Sequence, residues 1–107
     1  MEKILERTLL YDFYGELLTE RQRQVYEEVV LEDLSLSEVA ADLEISRQGV
    51  HDMIRRCDKA LEEYEAKLHL VHRFLTIRGQ VQKIQNLSEK IGAGEIKELS
   101  RQILEEL

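Results

Sequence analysis

The chain has 107 residues, no proline, one cysteine and a formal net charge of −7. That length suits one compact domain, or one domain with a helical extension. A proline-free composition rich in Leu, Glu, Lys, Arg, Gln and Ile favours an all-α chain. An apolar run of about 18 residues, the length needed to span a membrane, is absent.

Ile4, Leu5, Leu9, Leu10, Phe13 and Tyr14 recur at helical spacing, so residues 2–14 are expected to form a first helix. Gly15 is placed to end or bend it. Thr19, with Gln22 three residues on, is a capping box opening a second helix. Its buried stripe is Val25, Tyr26, Val29 and Val30, and it closes around Glu32 and Asp33. The opening segment is acidic and amphipathic, unlike a signal peptide. With a single cysteine, the expected location is the reducing cytoplasm.

Residues 34–61 organise the rest. Ser37 is the expected cap of a helix carrying Val39, Ala40 and Leu43 on one face, and the chain turns at Glu44-Ile45. Ser46 caps a second helix, with Ile45 buried at the corner and Val50, Ile54, Cys57 and Leu61 facing inward. The small Ala40, with Ala41 beside it, lets the two helices approach closely. A small residue, an apolar turn residue and a capped second helix make a helix-turn-helix arrangement.

Apolar residues continue through Tyr64, Leu68, Val71 and Leu75 in alternating steps of four and three. Nothing breaks the pattern before Gly79, so a single helix of roughly 30 residues, about 45 Å long, is expected. Leu61, Tyr64, Leu68, Val71 and Leu75 would then project a seam that a homodimer covers. Residues 80–91 continue helically with Val81, Ile84, Leu87 and Ile91 inward. Gly92-Ala93-Gly94 reads as a flexible joint, and Ile96, Leu99, Ile103, Leu104 and Leu107 mark a last helix. The division expected is a helix-turn-helix domain over residues 1–66 and a C-terminal helical dimerisation or extension region over 67–107.

Charge is unevenly spread. Residues 1–34 hold four basic and nine acidic side chains, whereas residues 67–90 hold five basic and one acidic. Within that basic window Lys67, Arg73, Arg78 and Lys83 are candidates for docking RNA or an acidic partner. Complementing the acidic N-terminal helix of the same chain or of a dimer partner is the other reading, and plain solvation a third. With Val50 as the buried direction, Gln48, Asp52, Arg55 and Lys59 fall on the opposite face, flanked by His51 and Arg56. That face is the one a DNA reader would insert in the major groove. An ordinary solvated face, with Asp52–Arg56 and Arg55–Lys59 as neighbours one turn apart, is the alternative.

His69 and His72 are three apart but make an incomplete ligand set, so no metal is expected. Cys57 lies on the apolar seam, and no phosphate-cradling glycine loop occurs. No enzyme, cofactor or small-molecule substrate is expected.

Residues 18–65, LTERQRQVYEEVVLEDLSLSEVAADLEISRQGVHDMIRRCDKALEEYE, resemble the promoter-reading region 4 of bacterial sigma factors. Leu18-Thr19-Glu20-Arg21, Glu38-Val39-Ala40, Ile45-Ser46-Arg47 and Lys59-Ala60-Leu61 carry that likeness. With LLYDFYGELLTERQ, SRQGVHD and the long C-terminal helix added, nearly the whole chain resembles the YlxM family. The resemblance implies a small cytoplasmic helix-turn-helix protein that binds DNA. Genes of that family lie beside those of the signal recognition particle GTPase or its receptor, which implies a place in that targeting pathway. Onto the sigma pattern Ser46 maps as the cap and Arg47 as a phosphate- or base-contacting arginine. Gln48 stands where an acidic base reader is common and can still hydrogen-bond adenine. Gly49, His51 and Asp52 depart from that pattern, and Gly49 costs about 1 kcal/mol of helix stability relative to Ala.

Two functions follow as expectations. The first is a dimeric DNA-binding regulator contacting DNA through Ser46, Arg47, Gln48, His51, Arg55, Arg56 and Lys59. The second is an accessory protein that binds the targeting GTPase or its RNA and uses the helix-turn-helix only as scaffold. A modulator of RNA polymerase, acting like a free sigma region, has less support.

Overall fold

A computed structural model describes residues 2–107, and all regular structure among them is helical. The chain divides into two compact units, one ending at His69 and the other starting at Leu70.

The first unit opens with α1 (Lys3–Tyr14), which buries Leu10 and Tyr14. A 3₁₀ turn over Gly15–Leu17 follows. Gly15 has ordinary right-handed helical angles, so its role is not conformational. A Cβ there would sit 2.9 Å from the ring of Tyr11, and glycine is needed for close approach. The expected capping box opens α2 (Glu20–Tyr26). The Gln22 amide donates to Thr19 Oγ1 at 3.2 Å, and the Thr19 amide donates to Gln22 Oε1 at 2.9 Å. A wide π turn over Glu27–Leu31 then leads to Asp33, at φ 59°.

The helix-turn-helix is α3 (Leu36–Leu43) and α4 (Arg47–Leu68). The cap of α3 is Ser35, not Ser37. Ser35 Oγ accepts from the Glu38 amide and donates to the Glu38 carboxylate, both at 3.1 Å. Capping from Ser35 places an acidic residue at the third helical position, which Ser37 could not do. Tyr14, Val25, Tyr26, Val39, Val50, Cys57 and Leu61 are fully buried and form the centre of the core. Each is worth on the order of 1.5–3 kcal/mol before ordering costs. Burial pushes the Cys57 thiol up to about 11, with the charge of Asp58 adding to it, so it stays protonated at neutral pH.

A polar clamp ties α1 to α2 and α4. Arg7 donates to both carboxylate oxygens of Asp58, at 3.1 and 2.8 Å, and the Tyr26 hydroxyl donates to Asp58 Oδ1 at 2.7 Å. The Tyr11 ring stacks on Tyr26 with centroids 5.4 Å apart, and its hydroxyl bonds Glu27. Tyr14 donates to Glu65 at 2.6 Å.

The single long helix is not formed. α4 stops at Leu68 because His69 adopts left-handed angles, φ 57°, and its amide closes the last turn on Glu65. A new helix, α5 (Leu70–Ile91), starts at once, and Gly79 lies in its interior without breaking it. His69 and His72 therefore do not share a helix. The expected dimer seam is also interrupted. Leu61 and Val71 are buried within the chain, Leu75 is half-buried, Tyr64 packs near Tyr14, and Leu68 is the exposed member.

In the second unit α5 and α6 (Gly94–Glu106) form a helical hairpin. Gly92-Ala93-Gly94 is a capped turn and not a loose joint. Gly92 takes φ 71°, its amide bonds Glu89, and the Ala93 amide bonds Ser88 at 2.9 Å. This is the Schellman arrangement, with glycine where the left-handed residue belongs. Val81 is buried as expected, but Ile84, Leu87 and Ile91 are exposed, and Ser88 and Ser100 are buried instead. Small residues let the two backbones approach, and the hairpin turns its bulkier apolar side chains away from its own seam.

Candidate nucleic-acid interface

The corner between α3 and α4 is built without glycine. Glu44 takes left-handed angles, φ 57° and ψ 41°. Its amide bonds Ala41 at 3.3 Å and the Ile45 amide bonds Ala40 at 3.1 Å, which ends α3 abruptly and turns the chain toward Ser46. Ser46 Oγ accepts from the Gly49 amide at 2.9 Å and opens α4. Gly49 is close-packed against this cap, since a Cβ there would lie 3.2 Å from Ser46 Oγ and 3.7 Å from Ile45 Cδ1. Its helix penalty therefore has a local counterpart.

Val50 and Ile54 anchor α4 in the core, and the opposite face is open. Ser46, Arg47, Gln48, His51, Arg55, Arg56 and Lys59 are all exposed. Among the described residues, Arg47, Arg55, Arg56 and Lys59 enter no ion pair. Asp52, Arg55, Arg56 and Lys59 line one shallow groove, while Leu36 at the start of α3 joins Arg47, Gln48 and His51 in another. Gln48 Nε2 donates to Asp52 Oδ1 at 2.9 Å, and His51 Nδ1 lies 3.9 Å from the same carboxylate oxygen. The Asp52 carboxylate on this face thus occupies the glutamine that would read a base.

Thr19, Arg21 and Gln22 at the start of α2 share a groove with Gly49, Asp52 and Arg56. Arg21 was not recognisable from the sequence as part of the face. Only the packing of α2 beside α4 brings it there. The arrangement can hold a polyanion, since it sets four α4 cations and Arg21 around two helix starts, with Asp52 among them.

On α5 the basic residues do not line up along one face. Arg73, Arg78 and Lys83 follow at five-residue steps on α5, and each step turns about 140° round a helix. Lys67 belongs to the last turn of α4, and Arg78 lies over the ring of Phe74, 5.3 Å from its centre.

Residues 1–103 match the family described as "Putative helix-turn-helix protein, YlxM / p13 like". The chain is 43% identical over 112 residues to a UPF0122 protein of Thermoanaerobacter sp. (strain X514), covering 97% of this chain and 96% of the relative. A UPF0122 protein of Shouchella clausii (strain KSM-K16) is 45% identical over 85 residues, covering 79% and 78%. One from Bacillus cereus (strain AH187) is 42% identical over 87 residues, covering 81% and 79%. No helix among the described residues is long and apolar enough to cross a membrane.

Proposed function

Because the chain belongs to the UPF0122 family of YlxM/p13-like helix-turn-helix proteins, we propose that it is a DNA-binding regulator, acting as a homodimer and reading duplex DNA with the exposed face of α4. The supporting observation is the set Arg47, Arg55, Arg56 and Lys59, exposed and without ion-pair partners on a helix whose inner face is locked by Val50 and Ile54. Arg47 and Arg56 suit phosphates, and Arg55 and Lys59 follow the groove. Gln48 reaches a base only after leaving Asp52. Ser46 and His51 complete the contact surface.

Selection from a random duplex pool at low salt tests this directly. Enrichment of a two-part site with half-sites about one helical turn apart is expected. Arg55→Ala should weaken binding to that site roughly 5- to 100-fold with helicity unchanged. Retention of all sequences alike, vanishing as salt rises, would leave only phosphate attraction and overturn sequence reading.

The Asp52 carboxylate on this face, with the acidic balance of the chain, favours a second reading: an accessory protein of the signal recognition particle that binds its GTPase or RNA. Lys67, Arg73, Arg78 and Lys83 would then matter more than Arg55. Arg73→Glu and Arg78→Glu should abolish capture of the GTPase or RNA, and unchanged capture removes this reading.

A further inference from the structure

The α5–α6 hairpin leaves one broad apolar face uncovered. On α5 the buried direction is given by Val81, 5% exposed, and Ser88, 2% exposed. Steps of 100° from it place Ile77, Ile84, Ile91 and Leu87 progressively further round one side of the helix. On α6, taken from Ser100, Ile96, Ile103 and Leu99 diverge in the same rotational sense. The helices run antiparallel across the Gly92 turn, so equal rotations fall on the same side of the hairpin. The Lys97–Glu89 ion pair, 2.9 Å, has the opposite rotation on both helices and lies on the other side.

The two flanks therefore merge. Leu87 is 60% exposed, Ile91 74% and Leu99 55%, with Ile77, Ile84, Ile96 and Ile103 each above 40%. The residue surface left open on this face is on the order of 700 Å², close to the roughly 800 Å² each partner contributes to a standard interface. Within the hairpin the 13-residue α6 buries Ser100, and a helix of that length is marginal on its own.

The rim indicates what covers the face. α5 holds four basic and one acidic residue, and its edge beside the apolar face carries Lys83 and Lys90. α6 holds four acidic and two basic residues, and its edge carries Glu95 and Glu106. A surface with an apolar centre, one basic edge and one acidic edge is complementary to itself under a twofold axis parallel to the helices.

We propose that this face is where a second copy of the chain docks, α5 of each copy lying against α6 of the other in a four-helix bundle. The inference extends the homodimer of the proposed function by giving its surface, and association is measured without DNA, so the DNA reading can fail independently. A twofold axis across the helices would oppose basic α5 to basic α5, which the rim charges disfavour.

Sedimentation of the full chain over a concentration series should show a dimer. Leu87→Glu combined with Leu99→Glu should weaken association at least a hundredfold. Because both positions are exposed in the single chain, helicity by circular dichroism should be unchanged. Gln82→Glu, on the opposite side, should leave the dimer intact. The arrangement is read by oxidising a mixture of Ile84→Cys and Leu99→Cys proteins, which should join unlike chains in preference to like ones. A chain monomeric at all concentrations overturns the proposal, as does a dimer indifferent to the double substitution. Cross-linking of Ile84→Cys to itself alone overturns the α5-on-α6 pairing.

Discussion

Arg7 and Asp58, 51 residues apart, form a two-pronged ion pair that fastens the first helix of the chain to the middle of α4, with both side chains about three-quarters covered. The same carboxylate accepts from the Tyr26 hydroxyl, so a single acidic residue joins three helices. The clamp lies behind the candidate DNA face and holds α4 in place without using any exposed cation of that face. Asp58→Ala leaves both Arg7 and Tyr26 unpartnered, and should cost about 1–3 kcal/mol in urea unfolding. Arg7→Ala should cost less. The coupling energy from the double-mutant cycle should be roughly 1 kcal/mol, reduced by the part-exposure of the pair. A coupling indistinguishable from zero would show that the pair is decorative.

Tyr26 gives the unit an alkaline limit. Burial first, then its hydrogen bond to Asp58, raises the phenol above its ordinary value of 10.0. A group whose folded value is raised contributes stability fully below the unfolded value and loses it as pH climbs toward the folded one. The loss should therefore begin near pH 10 and continue upward. Tyr26→Phe should be less stable at pH 7 but show a shallower decline above pH 10. Parallel stability–pH curves for the two proteins would refute this origin.

The cap of α4 and its glycine are coupled. Ser46→Ala should cost about 0.5–2 kcal/mol through the lost N-cap. Gly49→Ala gains helix propensity of about 1 kcal/mol but crowds Ser46 Oγ at 3.2 Å, so its net effect in the unchanged chain should be small. Introduced into Ser46→Ala, which removes the obstructing hydroxyl, the same change should recover nearly the full gain. Thermal unfolding of the four proteins measures the difference, and strict additivity would count against the steric account.

Of the three non-glycine residues with left-handed φ among the described residues, Asp33, Glu44 and His69, the last two end helices. Glu44 and His69 both sit at φ 57°. Glu44→Gly and His69→Gly should each stabilise the chain by about 0.5–1 kcal/mol, since relief of the left-handed conformation outweighs glycine's extra unfolded-state freedom. Destabilisation by either change, seen as a lower urea midpoint, would mean the native side chain has a compensating role.

Local rules carried much of the fold. The Thr19–Gln22 capping box, the Ser46 cap and the inward set Val50, Ile54, Cys57 and Leu61 depend on residues three or four apart, and periodicity exposes such spacing. The exposed face of Gln48, His51, Arg55, Arg56 and Lys59 was legible for the same reason, being the complement of the buried stripe. The expected cap Ser37 was wrong: Ser35 caps α3, and Glu38 at the third helical position from it is the local signal that could have selected it. Arg21 was missed because its neighbourhood with Arg56 is a product of packing.

What the sequence by itself determined is the all-α class, the helix-turn-helix and its outward cations, because hydrophobic period and capping chemistry are local and strong. Only the tertiary structure decided the break at His69, the Arg7–Asp58–Tyr26 clamp and the direction in which the α5–α6 hairpin turns its apolar side chains. The break needs a left-handed residue that no glycine or proline announces. The clamp joins partners half the chain apart. The hairpin packs on Ser88 and Ser100 because small residues permit the closest backbone approach, which a reading that ranks positions by hydrophobicity puts on the outside.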